Sequence, residues 1–485
     1  MAAPTQPPPP PLHLLFILLL TVVLSASPAF SSEIVDSLPG FSGKLPFNLE
    51  TGYVSVGDSE MFYYFIQSEG KPKLDPLLLW ITGGPGCSSF NSLVYEIGPL
   101  EFDFDNYEGG LPQLISYPYS WTKAASIIFL DSPVGTGFSY SRSPEGWQSS
   151  DTKAANETYE FLMQWFAEHP EYLKVPFYVG GDGYSGIIVP LVTELILAGV
   201  NQGGQAPNIK LRVMSHQTFV YGYLVGSPNT DKFIDSNSKV QFAHRMALIS
   251  DDTYHTAKNY CNENYIDVDI TNTNCVLALD DYETCVKYIW PNNILEPKCT
   301  VGLPHDERWS GRRSLQENSD SFILSSLQSP DLDCPTADHV LSDIWANDEG
   351  VQDALHVRKG TVEQWSRCNV TISYEQDVPS VVHLHQYFTN YGLRNISSLI
   401  SGDRDMVTPF VGVVQWIKSL NLSISDEWRP WFLDGQVAGY TRQYEKNRIF
   451  RLTYATVKGG GHTAAEYYRR ECYEMFSRWV NLCPL

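Results

Sequence analysis

Apolar residues fall along the chain in short blocks that end on glycine or proline. Leu77-Leu78-Leu79-Trp80-Ile81 stops at Thr82-Gly83-Gly84-Pro85-Gly86, and Ala125-Ser126-Ile127-Ile128-Phe129-Leu130 stops at Asp131-Ser132-Pro133-Val134-Gly135. Unbroken runs of this length, bounded by turn formers, are the pattern of strands covered on both faces. Residues 61–67 also read as a strand, and Phe177-Tyr178-Val179 runs into Gly180-Gly181. Between these blocks the period changes. Residues 152–169 place Ala155, Phe161, Leu162, Trp165 and Phe166 at helical spacing, and residues 187–198 read as the helix after the Gly180-Gly181 stop. Alternating strands and helices with glycine-rich strand ends predict an α/β fold built on a mostly parallel sheet. Residues 30–52 read as an irregular lead-in.

The rhythm breaks between about 232 and 335, which holds five of the nine cysteines, few strand signals and the polar stretch 305–320. It returns at residues 381–388, 398–402 and 450–457, the last running up to Gly459-Gly460-Gly461-His462. The expected organisation is therefore an α/β core in two parts, 30–231 and 336–485, with a disulfide-rich helical insertion or lid at 232–335. At the N-terminus, the apolar run 14–24 is too short to cross a bilayer, which takes about 20 residues. Ser27-Pro28-Ala29 follows it, so residues 1–29 read as a secretory signal peptide, although no Lys or Arg precedes Lys44. No membrane association is expected once it is removed.

Composition narrows the function classes. The chain has 485 residues, 43% of them hydrophobic, with 12 Trp, 28 Tyr and 23 Phe, enough to bury a large core and to exclude disorder. Its net charge of −22 repels phosphate and argues against nucleic acid as a partner. The nine cysteines contain no CxxC, so neither a metal site nor a redox motif is indicated, and no cofactor is expected. In a secreted chain several should pair, and the odd number leaves at least one over. Sequons at Asn156, Asn369, Asn395 and Asn421 are candidate glycosylation sites.

Candidate chemistry gathers at strand ends, where parallel sheets place their ligands. Gly181-Asp182-Gly183-Tyr184-Ser185-Gly186 lies between a strand and a helix, where a nucleophile elbow would stand. Gly402-Asp403-Arg404-Asp405 follows a late strand, and His462 follows the last one. Elbow, acid, histidine is the α/β-hydrolase order.

These motifs, together with Leu38-Pro39-Gly40-Phe41, residues 80–89, Gly135-Thr136-Gly137-Phe138-Ser139-Tyr140, residues 401–409, Gln436-Val437-Ala438-Gly439-Tyr440 and Gly461-His462-Thr463, make the sequence resemble the serine carboxypeptidase-like family of plants. The resemblance covers nearly the whole mature chain. It implies the α/β-hydrolase fold, a helical insertion and a Ser-Asp-His triad. Asp405 stands at the triad acid position, with Asp403 as the alternative, and the backbone N–H groups of Gly84 and Tyr184 form the implied oxyanion hole. Peptidases of the family carry Asn before Gly-Gly-Pro-Gly and Glu before the nucleophile, to hold a terminal carboxylate. Here those positions are Thr82 and Asp182, which resembles the acyltransferase branch. That branch moves an acyl group from a 1-O-β-glucose ester to a phenolic or other alcohol acceptor. Trp80, Tyr184 and Trp431 are candidate walls of the substrate pocket, or else ordinary core aromatics. By family position the implied disulfides are Cys87–Cys334, Cys261–Cys275 and Cys285–Cys299, with Cys368, Cys472 and Cys483 left open. A vacuolar or extracellular location is implied, and some relatives are cut near the position of Arg312-Arg313.

One position departs from the family motif. Where the nucleophilic serine is expected, this chain has Gly183. Glycine has no atom able to attack a carbonyl, so no acyl-enzyme can form there. The expectation is a non-catalytic chain acting as companion to a catalytically intact paralogue, or binding glucose esters or phenolic acceptors. The alternative is an active enzyme that works through Ser185 or a His-activated water.

Overall fold

The computed structural model describes residues 30–201, 220–298, 337–390 and 397–485. The expected signal peptide, Cys299, Cys334, Asn395 and the Arg312-Arg313 pair lie outside them.

The strands, in chain order, are β1 Phe30–Val35, β2 Leu49–Val56, β3 Ser59–Ile66, β4 Leu77–Ile81, β5 Leu100–Phe102, β6 Leu114–Ser116, β7 Ser126–Leu130, β8 Tyr140–Ser141, β9 Gln148–Ser150, β10 Phe177–Asp182, β11 Val220–Gly226, β12 Ser373–Glu375, β13 Ser397–Gly402, β14 Ser423–Leu433, β15 Gln436–Lys446 and β16 Phe450–Val457. Among the described residues, twelve of them form one sheet in the order β1-β2-β3-β7-β4-β10-β11-β13-β16-β15-β14, with β8 paired to β3. From β7 to β16 the neighbours are parallel, and both flanks are antiparallel. It is the mixed sheet with a parallel centre that the sequence pattern predicts.

Strand alternation sorts the apolar blocks into two cores. On β4, Leu78 and Trp80 enter one cluster while Leu77, Leu79 and Ile81 enter the other. On β7, Ile127 and Phe129 divide in the same way from Ile128 and Leu130. The second core is closed by the helix Asp151–Glu168, started by Ser150, whose hydroxyl accepts from the Lys153 N–H at 3.2 Å. Phe161, Leu162, Trp165 and Phe166 line its buried stripe, each contributing roughly 1.5–3 kcal/mol through burial. The helix Ser185–Asn201 packs beside it.

Two expectations change. Residues 30–52 are not an irregular lead-in throughout: β1 pairs antiparallel with β2, from Phe30 opposite Val54 to Val35 opposite Leu49. Backbone pairing at a half-exposed sheet edge leaves no apolar block to read. At residues 381–388 the strand–helix rhythm returns as expected, in the form of a helix, Val382–Phe388. Most directly, Cys87 bonds to Cys368 and not to Cys334. Residues 86–88 and 367–369 run antiparallel, with Ser88 N–H on the Arg367 carbonyl at 2.9 Å and Asn369 N–H on the Gly86 carbonyl at 2.8 Å. A Cβ at Gly86 would lie 2.5 Å from the Asn369 carbonyl oxygen, so only glycine allows this approach. Cys261–Cys275 forms as implied, while the implied partner of Cys285, Cys299, lies outside the described residues.

The described part of the expected insertion holds the helices Lys232–Arg245, Asp251–Cys261 and Thr273–Val286. Their apolar faces form a third cluster with Met406 and Val411. No helix among the described residues is long and apolar enough to cross a membrane.

Candidate active site

The site forms where β4, β10, β13 and β16 end. Gly183 makes the turn from β10 into the helix Ser185–Asn201, at φ +54°, the left-handed region that a glycine adopts without strain. Its N–H donates to the Gly226 carbonyl at 2.9 Å, and its carbonyl accepts from the Asn229 N–H at 2.9 Å. A Cβ built on Gly183 would point at the imidazole of His462, 3.0 Å from Nε2, with the Gly83 Cα at 3.8 Å. His462 Nδ1 lies 3.0 Å from Asp405 Oδ2. Asp405 is fully buried, and its Oδ1 accepts from the N–H groups of Val407 (2.7 Å) and Thr408 (3.0 Å). A carboxylate used in this way is an acceptor, so Nδ1 carries the proton and Nε2 faces residue 183.

The structure therefore brings Gly183, His462 and Asp405 together, and it separates Asp403 from them. Asp403 Oδ1 accepts from the Gly459 N–H at 2.7 Å and lies 3.4 Å from Arg404 Nε, fixing the turn before the histidine. Gly83 lies against Gly183 and the Tyr184 N–H, and Gly84, the next residue, is exposed at φ +145°. Among the described residues, neither the Gly84 nor the Tyr184 backbone N–H donates a hydrogen bond within the chain, as an oxyanion hole requires. Ser185 is turned away. Its hydroxyl donates to the Asp182 carbonyl at 2.7 Å, on the side where a Cβ at Gly181 would collide with it.

Thr82 and Asp182 lie beside this centre. Thr82 Oγ1 is 2.7 Å from Ser92 Oγ, and Asp182 Oδ1 accepts from the Gly83 N–H at 3.2 Å. Burial pushes the Asp182 carboxyl up to about 6, against the opposing pull of His462 and the Gly83 N–H. Trp80 and Trp431 are core residues rather than pocket walls: Trp80 Nε1 donates to Ser92 Oγ at 2.9 Å, and fully buried Trp431 donates to the Thr456 carbonyl at 3.0 Å. Tyr184 donates its hydroxyl to Asp151 at 2.7 Å and meets Tyr374 edge-on. The sequons at Asn156 and Asn421 are exposed, and Asn369 is half-buried with its Nδ2 on the Gly135 carbonyl at 2.9 Å.

Sequence reasoning missed two contributors. Glu96, in the helical turn Ser92–Glu96, is buried, and its carboxyl is held well above the usual range by burial and then by the neighbouring charge of Asp182. A lone acid inside the apolar stretch 93–97 was the available signal. Arg469 supports this turn from below, donating to the carbonyls of Glu96 (3.0 Å), Val94 (3.2 Å), Gly98 (2.9 Å) and Leu100 (3.3 Å). The second contributor is residues 291–294. The Pro291 carbonyl accepts from Met406 N–H (2.8 Å), the Asn292 carbonyl from His462 N–H (2.6 Å), and Ile294 N–H donates to the Arg404 carbonyl (3.1 Å). This segment ties the acid loop to the histidine loop, and nothing in its own sequence announces the role.

The sequence profile of the serine carboxypeptidase family (Peptidase S10) matches residues 39–482. Serine carboxypeptidase-like 16 of Arabidopsis thaliana is 47% identical over 463 residues, covering 95% of this chain and 96% of that protein. Serine carboxypeptidase-like 17 of the same plant is 45% identical over 458 residues, covering 94% of each. Among solved structures, a prohormone-processing carboxypeptidase from Saccharomyces cerevisiae superposes with a TM-score of 0.66 at 18% identity, over 90% of this chain and 91% of the other, a likeness of fold.

Proposed function

Since the chain belongs to the serine carboxypeptidase family, we propose that it is a member of the acyltransferase branch that no longer catalyses transfer itself and serves as companion subunit to a catalytically intact paralogue. The carrying observation is the Gly183 position: the residue that His462 faces has no nucleophilic atom, while Asp405 and His462 keep their 3.0 Å contact. In an intact member, a serine there would lose its proton to the imidazole and attack the ester carbonyl. The N–H groups at the positions of Gly84 and Tyr184 would then stabilise the oxyanion, and the acceptor hydroxyl would later take the acyl group. Without that serine no acyl-enzyme forms, and removal of a triad nucleophile costs on the order of 10⁶ in rate.

Thr82 and Asp182 favour the acyltransferase over the peptidase branch. The Thr82 hydroxyl is engaged with Ser92, and Asp182 is engaged with the Gly83 N–H. The hydrogen bond of Ser185 to Asp182 speaks against Ser185 as a substitute nucleophile. The disulfides suit a secretory-pathway protein, with a vacuolar or extracellular destination. The test is acyl transfer from a glucose ester, assayed with the chain alone, with an intact paralogue alone, and with both together. Stimulation of the paralogue by an inert chain is expected. Robust transfer by the chain alone would refute the assignment.

A further inference from the structure

We propose that Asn421 carries an N-linked glycan, and that this glycan lies over an exposed apolar strip formed by Ile424, Trp428 and Tyr440 at the β14 end of the sheet. The inference rests on passage of the chain through the secretory pathway and is independent of any catalytic or companion role.

Strand register places the three side chains on one face. Ile424 of β14 stands opposite Tyr444 of β15, and Tyr440 shares the face of Tyr444 by strand alternation. The Trp428 ring lies parallel to that of Tyr440, at 2° and 5.8 Å between centroids, and 6.1 Å from that of Tyr454. Tyr444 and Tyr454 belong to the second core, to which the helix Phe410–Ser419 contributes Val413, Trp416 and Ile417. That cover stops short of the sheet edge. Ile424, Trp428 and Tyr440 remain 45%, 42% and 41% exposed. Three apolar side chains open together on one face mark a surface that something covers.

Asn421 stands where the cover stops. At φ +52° it turns the chain from that helix into β14, with its N–H on the Lys418 carbonyl at 3.2 Å, and Ser423 completes the sequon. It is exposed, and among the described residues its side chain makes no hydrogen bond. The amides of Asn156 and Asn369, by contrast, donate to the carbonyls of Thr152 (2.8 Å) and Gly135 (2.9 Å). Along an extended strand Ile424 and Trp428 lie at most roughly 10 and 23 Å from Asn421, within the span of a branched oligosaccharide. In the modification, Asn421 Nδ2 bonds to the anomeric carbon of the first sugar of a lipid diphosphate-linked oligosaccharide. The sugar–phosphate bond breaks, the lipid diphosphate leaves with the electron pair, and the nitrogen gives up a proton.

Sugar is the occupant that suits the strip. The C–H faces of pyranose rings stack on aromatic faces, and their hydroxyls meet the ion pair of Glu427 with Arg442, at 3.0 Å, beside the rings. A second copy of the chain is disfavoured twice. A chain of net charge −22 repels its own copy. As an end strand of the sheet, β14 is also a poor template for another strand. Pro430 offers no N–H, and the register shifts between Ile424 and Asp426 and again between Asp426 and Arg429.

The experiment is hydroxyl-radical footprinting of the full chain secreted from plant cells, read by peptide mass mapping, with occupancy of Asn421 taken from glycopeptide mass. Asn421 should be occupied. Ser423→Ala removes the sequon and leaves Asn421 in its turn. It should raise oxidation of Trp428 and Tyr440 about two-fold or more, with Trp147, exposed elsewhere, unchanged. Enzymatic release of the glycan from the folded, unsubstituted protein should expose the same two rings, which separates shielding from misfolding. An unmodified Asn421, or ring oxidation indifferent to glycan release, would overturn the proposal. So would protection that persists in the Ser423→Ala variant and grows with protein concentration, the signature of a second copy on the strip. Acyl transfer enters none of these readouts, so failure of the companion reading would leave them unaltered.

Discussion

Restoring an oxygen at position 183 is the sharpest perturbation of this site, and the structure sets its magnitude. Gly183→Ser places a Cβ 3.0 Å from His462 Nε2, closer than ordinary contact, and asks a residue with a side chain to hold φ +54°. The left-handed conformation costs about 1–2 kcal/mol. For a chain of this length that corresponds to a fall of roughly 1–2 °C in thermal midpoint. The chemical gain works the other way. A missing nucleophile accounts for on the order of 10⁶ in rate. A displacement of about 1 Å, larger than the retreat His462 must make, forfeits around 10². Net gain on the order of 10⁴ is expected, read as the rate of covalent modification by a fluorophosphonate probe. Intact mass would follow the reaction, and peptide mapping would locate the label at position 183 of the Gly183→Ser variant. The unchanged chain should not be labelled at Ser185, whose hydroxyl is bonded to the Asp182 carbonyl. A folded Gly183→Ser variant that resists the probe would show that the Asp405–His462 pair cannot serve as a general base, and labelling of the unchanged chain would refute the account of Gly183.

Four further outcomes follow from the packing. Burial pushes Asp235 up to about 7 and Asp131 up to about 6, so the folded state keeps protons that the unfolded chain releases between about pH 4 and 7. Stability contributed by these groups is therefore lost as pH rises through that window, and Asp235→Asn should flatten the decline by up to about 4 kcal/mol in denaturant titrations at successive pH values; an unchanged slope would contradict it. His385, held down to about 3 by burial, acts in the opposite sense, its stabilisation being complete above about pH 6.5 and fading as pH falls towards 3. Non-reducing peptide mapping should recover Cys87 linked to Cys368, and Cys368→Ala should cost roughly 2–5 kcal/mol, whereas recovery of a Cys87–Cys334 peptide would be fatal to the described pairing. Arg469→Met should destabilise the fold by roughly 3–5 kcal/mol, because four carbonyls under the Glu96 turn lose their donor; a change below about 1 kcal/mol would mean that water replaces it.

Much of this was legible in the sequence wherever burial leaves a compositional mark. The centre of the sheet announced itself because β4 and β7 are covered on both faces and so must be apolar throughout. The elbow at Gly183, the acid loop and His462 were legible from their order at strand ends, whereas the choice of Asp405 over Asp403 and the parts given to Gly84 and Tyr184 came from the family resemblance. The edges were not. β1 and the long β14–β15 pair are half-exposed, and what holds them is backbone pairing, which any sequence can supply. Trp80 and Trp431 look the same in sequence whether they wall a pocket or fill a core, and the partners of their indole N–H groups decided it. The partner of Cys87 depends on how the backbone at Gly86 meets residues 367–369, a matter of approach rather than spacing.

The bonds of residues 291–294 to the loops of Asp405 and His462 carry a lesson about inheritance. Asp405 caps its own turn through Val407 and Thr408, and the His462 backbone is tied to Asn292. Both loops thus have folding contacts apart from any reaction, through the side chain at Asp405 and through the backbone N–H at His462. A serine at the elbow has no such second duty, and glycine suits its backbone better. A descendant that ran no reaction would still need the Asp405 carboxylate for its turn, so of the three positions the acid says least about catalysis and the residue at the elbow says most.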